Sequence, residues 1–173
     1  DDILLVVGDG CQGLQQACQE IYPRARVQRC WVHITRMGRM LTRKHDITPV
    51  LVQLKLVYTA NTTQLAEAAL YNFLETWSSK YPKITNTLSN ITDLFTFLNF
   101  LESIRSSIYS NNLIEGWNKH LKRRISHKEQ FPSIESLDTF IYTFASEYNA
   151  KFFGTLNRGF GSAFSKLLNE FGN

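Results

Sequence analysis

Asp9, Glu115 and the pair Cys30/His33 carry side chains that could do chemistry. Asp9 follows the apolar run Ile3-Leu4-Leu5-Val6-Val7 and sits between Gly8 and Gly10. The C-terminal end of a buried parallel strand is where open α/β sheets bind ligands. Asp beside Gly also suits a plain turn. Glu115 falls in the first turn of a helical segment, where the helix dipole stabilises a carboxylate. Lys119, four residues on, could pair with it. Neither carboxylate alone marks an active site. Cys30-Trp31-Val32-His33 is a lone Cys-x2-His. Zinc sites usually draw on a second ligand pair, and His45, His120 and His127 lie at no useful spacing from this one. Structural zinc is therefore not expected.

The elements that must position these residues are legible. Ile3–Val7 shows no alternation, which predicts a strand buried on both faces of a parallel sheet. Residues 12–21 read as a helix with Leu14, Ala17, Cys18 and Ile21 on one stripe, ended by Pro23. Arg26–Cys30 reads as a second strand. Strand, helix and strand within about 30 residues predict a right-handed βαβ unit. Residues 46–104 carry helical periods, with Thr62-Thr63 suiting one start, Pro49 a second and Pro82 a third. Phe95, Phe97, Phe100 and Leu101 read as core. Residues 111–126 read as a helix capped by Ser110, Asn111 or Asn112, with Ile114, Trp117, Leu121 and Ile125 as its buried stripe. Ser133 starts another helix. Phe164, Leu167, Leu168 and Phe171 mark a last amphipathic stretch. The fold class expected is α/β, predominantly helical, with two or a few parallel strands.

Charge is unevenly placed. The total is +4, from 19 basic and 15 acidic residues. Residues 24–44 hold seven bases and no acid, and residues 105–128 hold six bases against Glu115. The remainder is net acidic. Clustered Lys and Arg are the footprint of a polyanion, although a solvated helix face gives the same pattern. At 43% apolar and 13% aromatic, the chain can build a core, which argues against disorder throughout. It has no run of about 18 uncharged apolar residues, so no membrane-spanning helix is expected. Three cysteines, an odd number, are unlike a secreted disulfide framework and point to a reducing, cytoplasmic setting. The start Asp1-Asp2-Ile3 shows no signal peptide, and the chain reads as a piece of something longer.

The order of these features resembles the Mutator-type transposases of bacterial insertion sequences, a branch of the DDE transposases. The residues that carry the resemblance are Val7-Gly8-Asp9-Gly10, Gly13-Leu14, Tyr22-Pro23 and Gln28-Arg29-Cys30-Trp31-Val32-His33. Trp77, Tyr81-Pro82, Ser110-Asn111-Asn112-Leu113-Ile114-Glu115, Lys122-Arg123-Arg124, Phe131-Pro132 and the stretch from Arg158 to Phe171 follow in the family's order. The likeness runs from residue 3 to about residue 171.

That resemblance implies an RNase H-like core in two parts, residues 1–45 and 105–173, with residues 46–104 as an all-helical insertion. It implies that Asp9 is the second Asp of the catalytic triad and Glu115 its Glu. The family's first Asp would lie on an earlier strand, and Asp1 and Asp2 cannot stand in for it. The implied cofactor is Mg²⁺, or Mn²⁺, in a two-metal site that needs the third carboxylate. Cys30, His33 and Asn112 would support the active site, with Cys30 and His33 doing so without binding zinc. Arg29, Arg36, Arg39, Lys119, Lys122, Arg123 and Arg124 would contact DNA phosphates. Trp31 and Trp117 are expected to pack in the core. The implied activity is metal-dependent cleavage and transfer of DNA strands at insertion-sequence ends. The partners would be DNA and further copies of the chain, with no membrane. A DNA-binding or oligomerisation module without catalysis stays open, as does a purely structural helical assembly.

Overall fold

The computed structural model describes residues 3–128 and 130–171. Asp1, Asp2 and the Phe171 side chain lie outside the described residues. The chain forms two compact units, one of residues 1–111 with 158–173 and one of residues 112–157.

The larger unit opens with strand β1 (Leu5–Gly8), helix α1 (Gln12–Ile21) and strand β2 (Arg26–Arg29). The strands pair in parallel, with Leu5 opposite Arg26 and Gly8 opposite Arg29. Two further bonds extend the ladder, Arg26 N–H to the Leu4 carbonyl at 2.8 Å and Cys30 N–H to the Gly8 carbonyl at 2.8 Å. The expected βαβ order is therefore present. The expectation that the first strand is buried on both faces is not met. Leu5, Val6 and Val7 are half-buried, and only Gly8 is fully covered. A two-stranded sheet offers too little neighbouring surface to shield both faces, among the described residues. For the same reason the α1 stripe is mostly open, with Cys18 buried but Leu14 43% and Ile21 67% exposed.

Helix α2 (Trp31–Leu41) leads through a 3₁₀ turn (Lys44–Asp46) into α3 (Ile47–Tyr58), α4 (Thr63–Trp77) and α5 (Pro82–Ser89). Their starts follow local chemistry. Thr62 Oγ1 accepts from Leu65 N–H, a side-chain N-cap. Pro82 occupies the first turn of α5, where its missing N–H costs nothing. Helix α3 packs on α2 and α4, and α5 on α2 and α4. Trp31, Val50, Leu54, Phe73, Ile84 and Leu88 are fully buried at their junction. Gly38 lets α2 approach so closely, since a Cβ there would meet Leu54 Cδ1 at 3.0 Å and Ile84 Cδ1 at 3.2 Å. A 3₁₀ turn (Thr96–Asn99) then brings the chain back to β2, followed by α6 (Glu102–Ile108). Phe97 and Phe100 are buried and Phe95 and Leu101 partly so, as the sequence predicts.

The smaller unit holds α7 (Asn112–Ile125) and α8 (Ile134–Lys151). Ser133 Oγ accepts from Ser136 N–H and caps α8. The α7 stripe departs from expectation, because no α7 residue is fully buried and Ile114 is 53% exposed. Within the smaller unit only α8 faces this stripe, and a single neighbour leaves it partly open. Helix α9 (Phe160–Phe171) belongs to the larger unit and packs on α6. Gly159 makes this possible with φ of +84°, and any Cβ there would strike the Ser103 carbonyl.

Candidate active site

Asp9 leaves β1 at its C-terminal end and is exposed. Its Oδ1 accepts the Cys11 N–H at 3.2 Å, a local turn that Asp favours. Gly10 follows with φ of +100°, a conformation that glycine adopts without strain. The space a Gly10 Cβ would occupy holds the Arg29 guanidinium. Arg29 Nη1 donates to the Asp9 carbonyl at 3.3 Å, and Nη2 lies 3.5 Å from Asp93 Oδ1. Gln15 Nε2, on α1, donates to the other Asp93 oxygen at 3.1 Å. Arg29, expected at DNA phosphates, is thus turned inward, with its side chain 18% exposed and that of Asp93 11%. Asp93 and Gln15 carry no signal in the sequence, because their partners lie 64 to 78 residues away in one case and form no motif in the other.

Cys30 follows β2 directly and is fully buried. Its thiol donates to Asn111 Oδ1 at 3.0 Å, and Asn111 N–H reaches Sγ at 3.5 Å. The Trp31 N–H donates to the Tyr109 carbonyl at 3.1 Å. Cys30 and Trp31 therefore hold the segment 109–111, which precedes α7 in the chain. Asn111 is the residue held; Asn112 is exposed as the first residue of α7. His33 sits half-buried on α2. The Trp31 indole is in the core, as expected, donating to the Leu94 carbonyl at 2.9 Å. Gln28, fully buried on β2, donates to the same carbonyl at 3.0 Å and accepts from Phe97 N–H at 2.7 Å. Nothing in the run Arg26-Val27-Gln28-Arg29 marks Gln28 as its buried member, so the sequence leaves this staple unread.

Arg36 and Arg39 lie three residues apart on α2, both exposed. This spacing puts them on one face. In the smaller unit Glu115 stands in the first turn of α7 and Lys122, Arg123 and Arg124 in the last. Both placements complement the helix dipole. Arg124 Nη1 pairs with Glu147 Oε2 at 2.8 Å and its guanidinium lies over the Phe144 ring at 5.5 Å. The Trp117 ring meets Phe144 at 5.5 Å. A cavity of about 250 Å³ opens beside them, lined in part by His120, Arg123, Tyr148 and Lys151. Lys151 was no part of the expected basic set. It lies one turn beyond Tyr148 on α8, in a segment whose mixed charge hides it.

Asp9 and Glu115 offer hard oxygen donors of the kind Mg²⁺ takes. Each is right in donor type, and no group of three or more His, Cys, Asp or Glu that could hold an ion occurs among the described residues. No helix among them is long and apolar enough to cross a membrane.

Residues 1–154 match the family described as Transposase, Mutator family. The chain is 38% identical over 169 residues to the transposase for insertion sequence element IS905 of Lactococcus lactis, covering 98% of this chain and 43% of that protein. It is 34% identical to the transposase for insertion sequence element IS1201 of Lactobacillus helveticus, over 86% of this chain and 40% of that one. A third relative is the transposase for insertion sequence element ISRM3 of Rhizobium meliloti, 32% identical over 82% of this chain and 36% of its own length. The chain thus spans about two fifths of the length of these relatives.

Proposed function

The chain belongs to the Mutator family of transposases, and from that premise we propose that the full-length protein cuts DNA strands at insertion-sequence ends and joins them to new sites. The observation that carries this reading is the family match over residues 1–154, within which Asp9 directly follows a parallel strand. In the reading, Asp9 and Glu115 are two of three carboxylates that hold divalent metal, and the family's first Asp has no counterpart in residues 1–173. The ions, Mg²⁺ or Mn²⁺, would supply positive charge to the crowded phosphate and activate water or a DNA 3′-hydroxyl. The chain's own residues present and orient. Asp9 offers one carboxylate oxygen from a turn its other oxygen helps to close. Cys30, through Asn111, steadies the approach to α7, which bears Glu115. His33 and Asn112 complete that support. Arg36, Arg39, Lys119, Lys122, Arg123 and Arg124 neutralise DNA phosphates and set the register of the duplex without reading bases. The RNase H-like reading of residues 1–45 and 105–173, with 46–104 as insertion, belongs to the same proposal, as does assembly of several copies on DNA inside the cell.

The test is Asp9→Ala and Glu115→Ala in the full-length protein, scored for strand cleavage and for binding to insertion-sequence ends. Cleavage is expected to vanish in both while binding persists. Cleavage surviving in either variant would remove that residue from the catalytic set. A second reading, a DNA-binding module without catalysis, draws on the cavity beside Arg123, Tyr148 and Lys151. It would be favoured if the unaltered full-length protein binds DNA ends yet never nicks them with Mg²⁺ or Mn²⁺ present.

A further inference from the structure

We infer that Arg29 is a positioning residue for Asp9, clamped by Asp93, so that the end of the helical segment 46–104 holds the turn that carries the metal-binding carboxylate. The inference rests on the proposed role of Asp9.

Three observations converge on it. The Arg29 guanidinium fills the space over Gly10 that any side chain would need, and donates to the Asp9 carbonyl at 3.3 Å. Its other end meets Asp93 at 3.5 Å, with both side chains mostly buried. Asp93 is itself fixed, because its carbonyl accepts Arg29 N–H at 2.9 Å and its second carboxylate oxygen accepts from Gln15 at 3.1 Å. The next residues are stapled to β2 by Gln28. Arg29 therefore spans from a fixed anchor to the backbone of a glycine-flanked turn. A planar guanidinium can hydrogen-bond the Asp9 carbonyl through one nitrogen while the other ion-pairs with Asp93, which a lysine ammonium on a flexible stem does poorly. Burial of the pair also explains why an arginine is tolerated here, since a buried charge needs a fixed partner. An arginine reaching for DNA would instead leave its guanidinium open to solvent.

The prediction concerns carboxylate geometry, and displacement of a reacting group by about 1 Å can cost about a hundredfold in rate. In the full-length transposase, Arg29→Met and Asp93→Asn are expected each to slow single-turnover cleavage by about tenfold or more. Each should also weaken Mn²⁺ binding to the DNA-free protein, read by electron paramagnetic resonance, while affinity for DNA ends stays level. The double variant should be no worse than the poorer single one, because the two residues act through one contact. Arg29→Lys should recover only part of the loss.

The inference is overturned if Arg29→Met lowers DNA affinity and reduces the salt slope by about one while Asp93→Asn leaves cleavage and Mn²⁺ binding unchanged. That result makes Arg29 a phosphate contact. Equally, purely additive losses in the double variant, with Mn²⁺ binding intact, would reduce the pair to general stability. Asp9→Ala in parallel separates the two readings. Normal cleavage by Asp9→Ala removes the catalytic assignment itself, whereas an inactive Asp9→Ala beside a fully active Arg29→Met removes only this inference.

Discussion

Cys30 and Asp46 show how much a single buried side chain can hold. The Cys30 thiol bonds Asn111, 81 residues away in sequence, and does so from a fully buried position. Cys30→Ala leaves the Asn111 amide without that partner, which should cost about 1–3 kcal/mol and slow cleavage in the full-length protein more than it weakens DNA binding. Equal loss of both, measured by single-turnover cleavage and a binding titration, would make Cys30 a stability residue only. Asp46 gathers Lys80 Nζ at 2.5 Å, the Tyr81 hydroxyl at 2.5 Å and His45 Nε2 at 3.2 Å around one carboxylate oxygen. The Lys80 bond first, then the Tyr81 bond, holds its carboxyl below the ordinary value of 3.8. A depressed folded value means that the contribution to stability is complete above the unfolded value and fades as pH falls through the folded one. The melting-temperature gap between the natural protein and Asp46→Asn should therefore be constant near neutral pH and close below about pH 4. A gap that widens in acid would contradict the assignment. The sequence singles out Cys30 by its motif, and Tyr81 and Asp46 by nothing that links them.

At the scale of elements, local chemistry set the starts and tertiary crowding set the distances. The Thr62, Pro82 and Ser133 helix starts are readable because a cap or a missing N–H acts within one turn of its own residue. Gly38 is not readable in that way. A glycine inside a helix ordinarily costs about 1 kcal/mol against alanine, and only the contact of α2 with Leu54 and Ile84 explains it. Gly38→Ala sets a gain in helix propensity against a 3.0 Å contact, so its net effect should be small. Gly38→Leu has no room and should cost about 1–3 kcal/mol. Leu54→Ala at the same junction should cost about 2–5 kcal/mol. Chemical denaturation of Gly38→Leu and Leu54→Ala reads both. A neutral Gly38→Leu would mean that α2 does not sit as close as described.

At the scale of the whole molecule, not every base in the two charge windows is turned to solvent. Arg29 is engaged with Asp93, and Arg105 donates to the carbonyls of Phe100, Asn61 and Leu98 at 2.8–2.9 Å. Those two belong to the larger unit's own structure. Arg36 and Arg39 remain exposed on α2. Arg36→Ala and Arg39→Ala should each lower the salt slope of DNA binding by about one, while Arg105→Ala should leave the slope alone and destabilise the fold. A flat salt dependence in the natural protein would remove the phosphate contacts altogether. β1 pairs only with β2 among the described residues, and an apolar strand with an open edge recruits another strand. Residues 1–173 expressed alone should therefore associate in light scattering. A monodisperse monomer with Ile3–Val7 protected from hydrogen exchange would count against that.

By itself, the sequence determined the βαβ order, most helix starts, the core aromatics and the family, because each depends on neighbours in the chain or on the order of motifs along it. Tertiary structure alone decided that Arg29 pairs with Asp93, that Cys30 bonds Asn111, and that the β1 and α1 apolar faces are only partly covered. Those outcomes depend on groups 64 and 81 residues apart meeting in space, and on how many layers exist to cover a face. Neither leaves a period or a spacing to read.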